Sequence, residues 1–372
     1  MPTRKLHVHM DGKDSSACQR LAAILLNDAA IGVKYDVTLS IAGDGLVSEG
    51  FGKVTSLDPK RLTGLDGMLE LAGFFRKIKP EVVHILSSEL SGMAPGAARL
   101  AGAGLVVHTL ARGSQDKLRA SAVGKLTSAI AADVLTASSE ATRKKLQAQR
   151  GLRKGKIPVI YADISVPCRA ASAAQLRARM KLPQEQLLFA ADLSSDSGPA
   201  LERLVSVFAQ LRSRTFFKVM PALAVCGLPR TRMGEAAQIA ARHGLHDEIV
   251  FYGADESSRE AAAACDVFVC PCACPGDFQP SVLAAMSGGK TVVAAREGMV
   301  PELLEAGKSG LLVKPGDDES LYRALELVIN DSDLKVKMGY AARNRFDARF
   351  APGTTANAYM KIYAGQFEGD RN

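Results

Sequence analysis

Through the first 165 residues, short apolar runs alternate with amphipathic stretches. Leu6–Met10 and Tyr35–Ile41 predict strands, and Ser15–Asn27 between them predicts a helix with Leu21, Ile24 and Leu25 on one face. Val82–Leu86 is a β-branched run after Lys79-Pro80-Glu81 and reads as a buried strand. Leu105–Leu110, Ala132–Ala137 and Ile157–Ile160 read as further strands. Pro95–Ala103 predicts a small-residue helix, with proline tolerated in its first turn. Ser138-Ser139-Glu140 caps a helix over Ala141–Arg150. Repeated strand–helix–strand units predict a parallel sheet covered by helices.

An irregular stretch over 162–174, containing Pro167, leads into a second series. Strands are expected at Leu187–Ala191, Lys218–Cys226, Ile249–Tyr252, Val267–Cys270, Thr291–Ala295 and Gly310–Val313. Helices are expected at Ala200–Arg212, Met233–His243, Ser257–Ala264, Ser281–Ser287 and Glu319–Asn330, and the tail from Asp333 is mostly helical with a break near Pro352-Gly353. The pattern is that of two doubly wound α/β domains facing a central cleft, with ligands expected beyond the carboxyl ends of the strands. The expected boundaries are 1–165, 166–350 and a closing segment, 351–372.

With 372 residues, 47% hydrophobic and 23% charged, the chain has enough apolar residues for two cores. No apolar run reaches the roughly 18 residues of a membrane helix. The N-terminus shows no apolar signal region, and seven cysteines at irregular spacing suggest no disulfide framework. A cytoplasmic protein is expected. Charge is uneven: residues 1–170 carry 24 Lys/Arg against 15 Asp/Glu, and the remainder 23 against 24. A basic first half points to an anionic partner. Lys144, Lys145 and Arg153 belong to a run over 143–156 that contains no acid. It reads as a solvated helix end and loop, or as a contact to an anionic membrane surface or a phosphate-bearing acceptor. Nucleic acid is not expected, because there is no zinc-finger spacing, no RNP-like aromatic motif and no Trp.

Several motifs in the last third occur in a fixed order. Cys265-Asp266-Val267-Phe268-Val269-Cys270-Pro271 is followed by Phe278–Gly289, then by Val292-Val293-Ala294. Gly298-Met299-Val300-Pro301-Glu302-Leu303 comes next, and the series closes on Gly307-Lys308-Ser309-Gly310-Leu311-Leu312-Val313-Lys314-Pro315-Gly316-Asp317. This series resembles the signature region of retaining GT-B glycosyltransferases of family 4, and Ala132–Glu140 is similar to the last unit of their N-terminal domain. The resemblance implies sugar transfer, with retention, from a nucleotide-sugar donor held by the C-terminal domain to a glycan or lipid-linked acceptor on the N-terminal side. It implies a closing helix that returns toward the first domain, and neither a metal nor another cofactor. Donor contacts would fall on Gly12, Lys13, Gly198, Arg296, Gly298 and Glu302.

Where the family has its chemistry, this chain departs from it. The family's Arg and Lys after the first strand of the second domain correspond to Asp192 and Ser197, and Asp196 adds a further acid. The family's paired glutamates correspond to Gly276 and Ala284, with Asp277 beside the first. The N-terminal histidine falls on Leu110 or Ala111, with His108 nearby. Two readings follow: a glycosyltransferase with an altered donor site, or a catalytically inactive subunit that binds an acceptor or a partner protein.

Other candidates are weaker on chemical grounds. His84 matches a position where the family often has histidine. His7 and His9 share one side of the first strand and read as packed residues. Arg112 and Lys117 follow a strand end, within reach of an acceptor or phosphate. Lys290 and Arg296 flank a strand, and Arg296, at its carboxyl end, is the better substitute phosphate cation. Cys270, Cys272 and Cys274 have soft-metal spacing but read as small apolar fillers.

Overall fold

The computed structural model describes residues 4–11, 16–42, 54–58, 62, 64–89, 92–111, 122–149, 157–164, 174, 177–178, 182–183, 186–194, 199–214, 220–253, 258–272, 276 and 278–366. Two compact units emerge. The first comprises Met1–Asp163, Pro275–Phe278 and Pro352–Asn372, and the second Ile164–Cys274 and Gln279–Ala351.

In the first unit, β1 (Arg4–Asp11), β2 (Tyr35–Ala42), β3 (Val54–Leu57), β4 (Val82–Ser87), β5 (Leu105–Leu110) and β6 (Val134–Ala137) form one sheet in the order β3-β2-β1-β4-β5-β6. Every pairing is parallel. Side-chain alternation splits each strand between two cores. Leu6, Val8, Leu39 and Val107 pack with α1 (Ser16–Asn27), α2 (Ala29–Lys34) and the C-terminal helix. Val83, Ile85 and Val106 pack with α3 (Gly64–Ile78) and α4 (Ala94–Leu100). Beside them, α5 (Ala122–Ala131) supplies Ser128 to His108 of β5. Last comes α6 (Glu140–Gln147), capped by the Ser139 hydroxyl, which accepts from Thr142 N at 3.0 Å.

Three glycines in Gly64–Ile78 weaken the helical signal, and the helix rests on burial of Leu71, Ala72 and Phe75. The expected strand Ile157–Ile160 is a single bridge, Val159 to Ala137. Pro158 has no N–H, so pairing stops at Ala137 N donating to Pro158 O and Ile160 N to Ala137 O.

The second unit repeats the winding. Its strands are β7 (Leu188–Asp192), β8 (Ala222–Leu228), β9 (Ile249–Gly253), β10 (Val267–Cys270), β11 (Thr291–Ala295) and β12 (Leu311–Val313), in the order β12-β11-β10-β7-β8-β9, again all parallel. Helices α7 (Pro199–Arg214), α8 (Met233–Arg242), α9 (Ser258–Ala264), α10 (Pro280–Ser287), α11 (Val300–Leu303), α12 (Asp318–Asn330) and α13 (Ser332–Arg349) cover it. Renumbered within each unit, both sheets run 3-2-1-4-5-6. Strand order therefore reverses between β1 and β4, and again between β7 and β10. Those reversal points are where open α/β sheets hold ligands.

The C-terminal helix, α14 (Thr354–Tyr363), belongs to the first unit. Its start is pinned by Asp163, whose Oδ2 accepts from Gly353 N at 3.0 Å and Thr355 N at 3.2 Å. Gly353 is the N-cap of this helix and sits at φ +86°, a left-handed backbone that glycine accommodates. No described helix is long and apolar enough to cross a membrane.

Candidate functional site

At the reversal point of the second unit, β7 ends on Asp192 and β10 on Cys270. The Asp192 carboxylate is held on two sides. Oδ1 accepts from Ser194 N at 2.9 Å, and Oδ2 accepts from the Ser281 hydroxyl in the first turn of α10. A carboxylate there complements the positive end of the helix. The neighbouring strand closes on the same group: Gly227 has φ +85°, and a Cβ on it would stand 2.6 Å from Asp192 Oδ1 and 2.7 Å from Ser194 N. Only glycine fits. Ser197, Asp196 and Gly198 lie outside the described residues.

Ala284 is fully buried on α10, and Gly276, in the Pro275–Phe278 segment of the first unit, is half-buried. Neither position carries a carboxylate, and Asp277 lies outside the described residues. Cys270 is a buried thiol donating to Cys272 O at 3.2 Å, and Cys274 is not described. Among the described residues, no group of three His, Cys, Asp or Glu side chains is arranged to hold a metal.

Three cations stand at the carboxyl edge of the sheet. Arg296, Glu297 and Gly298 follow β11 as an exposed turn, with Gly298 at φ +54° and Arg296 N donating to Val313 O at 2.8 Å. Lys314, exposed after β12, and Arg203 of α7 line a small pocket with Pro271, Gly316 and Asp317. The Arg203 guanidinium pairs with Asp318 at 2.8 Å and lies against Gly316. Pattern reading missed Arg203, which sits unmarked in an amphipathic helix. Lys314 belongs to the closing motif and was legible there. Glu302 is half-buried on the four-residue α11, whose terminal carbonyls, Glu302 O and Leu303 O, accept from Arg345.

In the first unit the candidate histidines lie in the core. His84 Nδ1 bonds the Tyr363 hydroxyl at 2.6 Å, and Nε2 bonds Thr109 Oγ1 at 2.7 Å. Thr109 continues the chain to Thr136 and Tyr359. His108 Nε2 bonds Ser87 at 2.7 Å, and Nδ1 bonds Ser128 at 3.1 Å. His7 and His9 share Ser40 at 2.8 Å, and their rings meet Phe75 edge-on. Burial pushes His7 down to about 4, and His9, His84 and His108 to about 3, so all four are neutral at pH 7. Lys144 is exposed and Lys145 half-buried on α6, beside an Arg143–Glu140 pair at 2.6 Å. Gly12, Lys13, Arg112, Lys117 and Arg153 lie outside the described residues.

Residues 184–331, most of the second unit, match the family of glycosyl transferases group 1. Over that segment the chain is similar to the group 1 glycosyltransferases. Its fold is GT-B: it aligns with Anabaena HepE in complex with UDP at a TM-score of 0.75 and 19% identity, over 98% of this chain and 100% of that one. A glycosyltransferase from Rickettsia africae aligns at 0.78 and 15% identity, over 98% and 99%. By sequence, the D-inositol 3-phosphate glycosyltransferase of Streptomyces avermitilis is 28% identical over 275 residues, 70% of this chain. The chain spans 58% of that relative's length.

Proposed function

We propose that this chain transfers a sugar, with retention, from a nucleotide-sugar donor to a glycan or glycolipid acceptor, through a donor site whose phosphate cations have moved. The observation behind this reading is the arrangement at the carboxyl edge of the second unit. An acid occupies the end of β7, while Arg296 and Lys314 follow the ends of β11 and β12 and Arg203 of α7 lines a pocket with Lys314. A departing nucleoside diphosphate needs positive charge at its phosphates, and these side chains supply it. Gly298 and Glu302 would shape the sugar side, with Gly12, Lys13 and Gly198 completing the donor contacts. HepE, similar in fold, holds UDP.

A second reading, a non-catalytic subunit that binds an acceptor or partner protein, draws on Asp192. Its carboxylate is already bonded to Ser194 and Ser281 at the reversal point, where a donor phosphate would be repelled. Carboxylates are also missing at Gly276 and Ala284.

In both readings the protein acts in the cytoplasm. The basic first half, with Arg112, Lys117, Lys144, Lys145 and Arg153, contacts an anionic acceptor or the inner face of a membrane. The deciding experiment is calorimetric titration with UDP-, GDP- and ADP-sugars, paired with a nucleotide-release assay. Release with a dissociation constant below about 1 mM, roughly −4 kcal/mol, supports transfer. Weaker binding without release supports the subunit.

A further inference from the structure

Helix α13 carries two arginines, Arg343 and Arg345, and each holds the last carbonyls of a different helix. At about 100° per residue they stand roughly 200° apart around α13, so they reach to different sides. Arg343 donates to Ser287 O, at the end of α10, at 2.5 Å and pairs with Asp347 at 2.8 Å. Arg345 uses all three of its nitrogens. Nε donates to Leu303 O at 2.5 Å, Nη2 donates to Glu302 O at 2.9 Å, and Nη1 pairs with Glu305 at 2.5 Å. Its side chain is 17% exposed. The helix that carries it is itself fixed. Gly339 packs so closely on Gly289 O that a Cβ has no room there, and Lys335 O accepts from the Thr291 hydroxyl at the start of β11.

What Arg345 holds is α11. A four-residue helix is too short to be stable alone. Its last carbonyls need partners from outside, and a cation at that end complements the helix dipole. Arg345 meets both needs. Buried Val300 and Leu303 seat α11 against the core, but apolar contact is non-directional. Its direction rests on polar bonds at the two ends of the segment 296–304. At the first end, Arg296 N donates to Val313 O at 2.8 Å. Between the ends the bonds are local: Val300 N donates to Glu297 O at 3.1 Å, and Glu302 N to Met299 O at 2.9 Å. At the far end stands Arg345, and just beyond it Glu305 N donates to Ser309 Oγ at 2.8 Å, which holds the carboxylate partner of the guanidinium in place. Glu302 lies at that far end.

We infer that Arg345 is a positioning residue of the donor site: its guanidinium fixes the end of α11 and thereby places Glu302 for the donor sugar. The inference rests on the transfer reading above, in which Glu302 shapes the sugar side. The arrangement calls for arginine. A planar fork bonds two carbonyls and a carboxylate at once, whereas a lysine ammonium is a point charge on a flexible stem. Arg345→Lys therefore keeps the charge and its attraction to Glu305, and loses the fork.

The test is a double-mutant cycle on the full chain, read by nucleotide release from UDP-glucose, GDP-mannose and ADP-glucose. Circular dichroism checks that each variant folds. Glu302→Gln should lower kcat/KM for the donor about tenfold, and Arg345→Lys about fivefold. The double variant should stay within about twofold of Glu302→Gln, because Arg345 acts through the same side chain; independent effects would multiply to roughly fiftyfold. A multiplied loss marks Arg345 as merely structural and overturns the inference. Should Arg345→Lys not fold, Glu305→Gln takes its place in the cycle. It removes one arm of the clamp at a half-exposed position, and should cost about threefold alone and nothing further on top of Glu302→Gln. If wild type releases nucleotide and the changes at 345 and 305 leave kcat/KM as it was, the inference falls and transfer stands. If wild type releases none from any of the three donors, both fall.

Discussion

The Ser281 hydroxyl donates to Asp192 Oδ2, so the first turn of α10 holds a carboxylate supplied by the chain itself. The bond joins the end of β7 to the helix after β10 across the reversal point of the sheet. An incoming diphosphate would meet a fixed negative charge there. At an effective dielectric near 20, two unit charges about 4 Å apart interact by roughly 4 kcal/mol.

Asp192→Asn keeps an acceptor for Ser194 N and removes the charge. It should improve UDP affinity by about 1–2 kcal/mol, up to roughly thirtyfold. Titration of both proteins with UDP checks this. Unchanged affinity would separate Asp192 from the phosphate path.

Gly227→Ala should damage the same corner. At φ +85° the added methyl meets Asp192 Oδ1 at 2.6 Å and Ser194 N at 2.7 Å. A cost of about 2–4 kcal/mol in urea unfolding is expected from left-handed strain and the clash together.

Tyr363→Phe removes the hydroxyl that meets His84 Nδ1 at 2.6 Å and leaves a buried ring nitrogen without its partner. The expected loss is about 1–3 kcal/mol. It should appear as faster hydrogen exchange in α14 and β4, read by mass spectrometry.

Acid should unfold the first unit early. The folded pKa values of His7, His9, His84 and His108 lie at about 3 to 4, below the ordinary 6.5. The unfolded chain therefore binds more protons between these limits, and stability is full above pH 6.5 and falls as pH drops toward 3. At pH 5.5 each histidine costs about 1.4 kcal/mol, and four together about 6 kcal/mol. Circular dichroism from pH 7 to 4 should show unfolding between about pH 6 and 5, with a lower midpoint for His84→Gln. Retention of native signal to pH 4 would contradict this.

Apart from β3, which was missed because Val54–Leu57 is a half-exposed edge strand with no apolar run, the strands of both sheets were legible because parallel strands buried on two faces are continuous apolar runs. Val82–Leu86 and Val267–Cys270 carry that signal without help from neighbours. The helix Gly64–Ile78 was not legible. Its glycines hide the period, and its stability comes from Leu71 and Phe75 reaching a sheet far away in the chain. Ile157–Ile160 misled in the opposite sense, since its apolar pattern says nothing of Pro158's missing donor.

The candidate site divides along the same line. By itself, the sequence determined that the cations at positions 192 and 197 and the carboxylates at 276 and 284 are absent, because each is a matter of residue identity in an ordered motif. Only the tertiary structure decided where the remaining groups stand. It turned Asp192 onto Ser281, brought Arg203 beside Lys314, and closed His84 between Thr109 and Tyr363, 279 residues away in the chain from His84 to Tyr363. Hydrogen bonds and charge pairs act over a few ångströms, and chain separation carries no information about distances of that size until the sheets have formed.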